Sequence, residues 1–130
     1  MICDADVIEM FSGKNALLDA LLVAVIVMRN DLGDADVELR FKGRKDSDFT
    51  EISIQFTEVA EFEFSYERED TFLDIWDLKF LILEDGSFYI SLDPDPSTLL
   101  SAGAAKVEAS DTDHFFIRAR HIKAAVTKAR

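Results

Sequence analysis

Apolar and polar residues alternate with a period of two through most of this chain, and the alternation lays out its elements. The first stretch is the exception. Leu17, Leu18, Leu21 and Leu22 recur at helical spacing. Ser12 or Asn15, ahead of "KNALLDAL", offers a short polar side chain that can accept from open backbone N–H groups. The spacing predicts helix over residues 4–21, in one or two short pieces. The next run, "LVAVIVMRN", reads as strand at 23–30, because β-branched Val23, Val25, Ile26 and Val27 suit a pleated surface. Continuation of the helix is the alternative. "DLGD" then predicts a hairpin turn.

Clean alternation follows. Val37, Leu39 and Phe41 oppose Glu38, Arg40 and Lys42; Ile52, Ile54 and Phe56 oppose Glu51, Ser53 and Gln55. In "EVAEFEFSYERED", Phe62, Phe64 and Tyr66 point inward, and Glu61, Glu63 and Ser65 outward. "TEVA" reads as a tight connection that makes two antiparallel strands of this region. "DIWDLKFLILEDGSFYISLD" is the strongest hairpin signal, since Asp-Gly tolerates the φ > 0 such turns need. Trp76, Leu78, Phe80 and Ile82 share a face in its first arm, with Leu81 and Leu83 on the other. An arm apolar on both sides predicts a central strand. In the second arm Phe88, Ile90 and Leu92 face in, and Tyr89 and Ser91 face out. "DPDPS" stops the strand, because proline has no N–H for the ladder. Residues 97–113 read as loop with a short strand at 105–109, and 115–125 as a final strand, with helix as the alternative for this segment.

These elements predict an α+β fold: an antiparallel β meander of about six or seven strands, curled or forming a partial barrel, with one or two short N-terminal helices. The 130 residues fit a single domain spanning 1–130. Eleven Phe predict an aromatic-rich core. Cys3 is the only cysteine, which excludes an intramolecular disulfide and a cysteine-only metal site. The opening "MICDADVIEM" carries acids where a signal peptide has bases. The longest apolar run, Ala20–Met28, falls far short of the ~20 residues of a membrane-spanning helix. These features predict a cytoplasmic protein.

Charge changes the picture most. The formal net charge is −12, concentrated in residues 46–113, which hold 18 acids against three bases. The last 17 residues hold five bases and no acid. Such a field repels nucleic-acid phosphates and anionic membranes and favours a basic protein partner. The C-terminal "RARHIKAAVTKAR" is expected to lie along the chain's own acidic sheet.

Candidate chemistry is sparse. There is no G-x-S-x-G elbow and no glycine-rich phosphate loop. No cofactor is implied. "DTDH" places Asp111, Asp113 and His114 together, and "LDPDPS" supplies Asp93 and Asp95. A divalent-cation site or metal-dependent enzyme in these two loops is an alternative reading, although the spacing matches no established metal motif. A structural or oligomer-forming domain, covering the two-sided apolar runs 23–28 and 78–83 with a second subunit, is another; oligomeric state itself is open. Trp76 is expected in the core. Tyr89, expected on the outer face, is a contact candidate together with Tyr66.

The order of elements at "ISIQFTEVAEFEFSY", "DGSFYISLDP" and "DHFFIRARHIKAAV" resembles small bacterial β-rich immunity proteins of polymorphic-toxin and contact-dependent inhibition systems. The likeness covers roughly residues 35–126 and is one of pattern, with no motif residue to carry over. It implies a protein without enzymatic activity that binds a toxin domain, often a basic nuclease, and blocks it with acidic surface. The leading expectation is therefore a non-enzymatic immunity or inhibitor protein for a basic partner, contacting it through Glu58, Glu61, Glu63, Glu67, Glu69, Asp70, Asp74, Asp77 and Tyr89.

Overall fold

The computed structural model describes residues 2–68 and 73–129. Among these, seven antiparallel strands form one sheet: β1 (Ile2–Cys3), β2 (Leu21–Arg29), β3 (Ala35–Lys42), β4 (Phe49–Phe64), β5 (Lys79–Ile82), β6 (Phe88–Asp93) and β7 (Phe115–Lys128). Their order is β2-β3-β4-β7-β6-β5, and β1 pairs with β7 at Ile2↔Ala124 and Cys3↔Lys123. The sheet is open, because β2 and β5 do not pair. One α-helix occurs among the described residues, α1 (Ala5–Met10), and it precedes a 3₁₀ turn at Gly13–Asn15.

The fold is thus β-rich α+β, as the alternation predicts, with five differences. The helical stretch is shorter. Neither Ser12 nor Asn15 caps a helix over "KNALLDAL". Ser12 donates its hydroxyl to the Glu9 carbonyl, and Asn15 Oδ1 accepts from the Asp48 backbone N–H at 2.8 Å. The leucine stripe never forms: Leu17 and Leu22 are buried, whereas Leu18 and Leu21 are exposed. Pairing draws Leu21 and Leu22 into β2, where Leu22 N–H donates to the Leu73 carbonyl and Leu21 bridges Asp74.

Second, "TEVA" is no turn. β4 runs unbroken through it, because it holds no glycine, proline or asparagine and β7 offers a partner along the whole length. The irregularity there is a bulge between Val59 and Glu61, with Glu58 at φ +51°. Third, the connectivity is not a simple meander, since β7 inserts between β4 and β6. Fourth, β5 lies at the sheet's edge and holds only four residues, so the arm read as central is peripheral. Fifth, no strand forms at 105–109; two short 3₁₀ turns, Pro96–Thr98 and Leu100–Ala102, lie in the loop before β7.

The long β4–β7 ribbon organises the rest. Inward-facing positions step by three in both strands, from Phe56 to Val59 and from Ile122 to Ala119, so the ribbon turns a corner at the bulge. On one side of the corner, β3 and β2 extend the sheet from β4. On the other, β6 and β5 extend it from β7. One cluster fills the curl: Val37, Leu39 and Phe41 from β3, Ile54 and Phe56 from β4, Ile90 from β6, Ile117 and Ile122 from β7, and Val7 and Phe11 from the α1 region. Phe11 meets Phe49 edge-on and Phe62 meets Phe115 edge-on, which bears out the aromatic core, whereas Phe64, expected inward, is exposed.

Candidate partner-binding surface

The corner brings the mouth of the curl into view. Beyond Phe56 no described strand pairs with β4 on the β3 side, and beyond Leu22 none pairs with the outer edge of β2. Between β2 and the far half of β4 lies an open groove of about 790 Å³, lined by Val23, Val25, Val27, Phe62, Phe64 and Leu73 among others. Val23 is 62% exposed and Val27 53%. Glu63 stands on the groove's wall.

The predicted acids divide into two groups. Glu58 and Glu61 face the chain's own basic strand: Arg118 Nη1 lies 3.1 Å from Glu61 Oε1, and His121 Nε2 lies 3.2 Å from Glu58 Oε2. The ring's other nitrogen is 3.4 Å from Asp4 Oδ2. β7 thus lies beside β4 and sets Arg118 and His121 against these two acids. Glu63 is exposed on the groove's wall, Asp74 is exposed beside the lining residue Leu73, Asp77 is exposed three residues further on, and Glu67 is exposed just past β4. Glu69 and Asp70 lie outside the described residues.

The two aromatics exchange places relative to expectation. Trp76 is 70% exposed, because Ala20 and Ile75 take the inward positions of the short pairing between 19–22 and 73–75 and leave Trp76 outside. Tyr89 is 1% exposed and offers nothing to a partner. β6 is covered on both faces: Phe88 and Ile90 point into the curl, while Tyr89 and Ser91 lie on the other side, Tyr89 stacked on Phe116 at 5.6 Å. Tyr66 remains exposed.

Over that second face lies a polar network that sequence reading missed. Lys79 and Asp113 are both buried and paired, with Nζ 3.1 and 3.0 Å from the two carboxylate oxygens. The same carboxylate accepts from Tyr89 Oη at 2.5 Å and from the Asp95 backbone N–H at 2.8 Å. Burial, then the hydrogen bond to Asp113 and its negative charge, push the Tyr89 phenol well above its ordinary value of 10.0. Ser91 donates to the Phe115 carbonyl at 2.7 Å. A buried charge persists only when paired and hydrogen-bonded, and here every carboxylate oxygen is occupied.

This network also fixes the loops of the metal reading. Asp95 Oδ1 accepts from Ser97 and Oδ2 from Thr112, and these contacts hold its carboxyl below the usual carboxylate range. Asp113 faces Lys79 rather than the solvent side where His114 lies. Among the described residues no three His, Cys, Asp or Glu side chains are placed to share a metal ion. None of their helices is long and apolar enough to cross a membrane.

Comparison with known proteins finds no matching family model, no matching curated protein and no matching solved structure.

Proposed function

We infer that this protein is a non-enzymatic binding module that neutralises a basic protein partner, in the manner of an immunity or inhibitor protein. The observation that supports this reading is the groove between β2 and β4, apolar within and bordered by Glu63 on a chain of net charge −12. Stable interfaces combine a desolvated apolar centre with a charged rim, and acidic rims speed association with basic partners. Trp76, with Asp74 and Asp77 close to it in the chain, adds an exposed aromatic of the kind that anchors interfaces. The likeness of element order to toxin-immunity proteins gives the reading its biological class.

Glu58 and Glu61 carry less of the burden than Glu63, Asp74 and Asp77, because β7 already faces them with Arg118 and His121. Affinity capture from the source cell's lysate, eluted by a salt gradient, tests the reading. A basic protein released by salt and lost by a Glu63→Lys, Asp77→Lys variant supports it. Retention that is insensitive to both salt and charge reversal contradicts it.

A further inference from the structure

The outer edge of β2 is unusual for an exposed strand. Its sequence from Val23 to Met28 is "VAVIVM", with no charge and no proline, and Arg29 is its only ionic residue. Exposed edges normally carry lysine, proline or a bulge that blocks pairing with another chain. The opposite edge, β5, obeys that rule by being only four residues long. On β2 the single irregularity lies between Leu22 and Ala24, and the register with β3 is regular from Ala24 to Arg29. Among the described residues, no strand therefore covers this edge, which opens onto the apolar groove.

We propose that the partner enters as an extended basic segment that adds a strand to the outer edge of β2. This rests on the binding-module reading above and names the mode of binding. An added strand places alternate side chains on opposite faces. One set enters the groove against Val25, Phe62 and Leu73, and the other set meets solvent and the acidic rim at Glu63. The matching segment alternates apolar and basic residues over about six positions, roughly 20 Å of strand. Charge selects this occupant over a second copy of the chain. Pairing two β2 edges brings together two molecules of net charge −12, whereas a basic segment gains from the same field. Salt separates the two cases: screening weakens a basic partner's binding and strengthens self-association.

The test uses the full chain and a short labelled peptide of alternating valine and lysine. Three controls accompany it: the same peptide N-methylated at every second residue, one with glutamate for lysine, and a Val27→Lys variant. Val27 is half exposed, so the substitution leaves the core intact, and its Tm is measured alongside. The expected result is saturable binding that weakens at least about tenfold between low and high salt, with slowed hydrogen exchange at β2 amides. N-methylation, glutamate or Val27→Lys each removes it. Equal binding of the N-methylated peptide, or protection confined to elements other than β2, overturns strand addition while leaving a basic-partner module standing. A β2 dimer that tightens with salt assigns the edge to a second copy and overturns the proposal. Absence of binding by the valine–lysine peptide overturns it as well, while lysate capture still decides the broader reading independently.

Discussion

Lys79 and Asp113 form a buried ion pair whose loss should weaken the fold. Each has a fully buried side chain, and the pair ties β5 to the loop that precedes β7. Removing one partner strands a charge, so Asp113→Ala should lower the unfolding free energy by about 3–5 kcal/mol in urea titrations. The double change Lys79→Met, Asp113→Leu should cost clearly less, because no unpaired charge remains. Tyr89→Phe, which deletes a bond to that carboxylate, should cost about 1.5–3 kcal/mol. Tyr89 also sets an alkaline limit. Its folded-state pKa is raised, so its contribution is fully present below the unfolded value of 10.0 and is lost as pH climbs beyond it. Unfolding free energy measured from pH 8 upward should fall above about pH 10, and less steeply in Tyr89→Phe. Asp95 works in the opposite direction. Its lowered pKa gives stability that is present above the ordinary carboxylate value of 3.8 and lost as pH falls through the folded one. None of this network was legible in the sequence. A lysine in an alternating strand reads as its wet side, and only the loop folding back across β6 turns that side into interior.

At the scale of elements, the period-two pattern located most strands, because each buries one face and solvates the other. It erred where a strand has two dry faces or turns a corner. Parity places Tyr89 on the outward face of β6, where it lies, but that face is covered. "TEVA" interrupts the alternation, and an interruption looks alike whether it is a turn or a bulge. Whether a strand continues depends on its partner, and the partner is some sixty residues away in β7. Trp76 went astray for a related reason, since its segment pairs with 19–22 rather than extending β5. The bulge gives a test. Glu58 sits at φ +51°, a region that costs a non-glycine residue about 1 kcal/mol. Glu58→Gly should therefore leave stability equal or slightly higher in thermal melts, despite loss of the exposed His121 contact. Gly43 behaves oppositely: a Cβ there would collide with the Phe49 carbonyl oxygen where β3 turns into β4. Gly43→Ala should cost about 2 kcal/mol or more, read from the same melts.

At the scale of the whole molecule, charge and shape act together. The acidity was legible from composition, but its partition was not. Folding spends Glu58 and Glu61 on the chain's own β7 and leaves Glu63 exposed on the groove's wall, with Asp74 and Asp77 exposed in the segment after Leu73. The groove itself was invisible in the sequence, because it arises from two edges that only the corner in the β4–β7 ribbon brings face to face. Long-range attraction should show itself in rates more than in lifetimes, since rim charges steer encounter. The most direct measurement is stopped-flow association of the captured basic partner with the wild-type chain and with Glu63→Lys, Asp77→Lys across a salt series. An acidic docking surface predicts a fast on-rate at low salt that falls steeply with ionic strength, and a variant at least about tenfold slower whose on-rate depends only weakly on salt. Equal on-rates for both proteins at low salt would contradict the account.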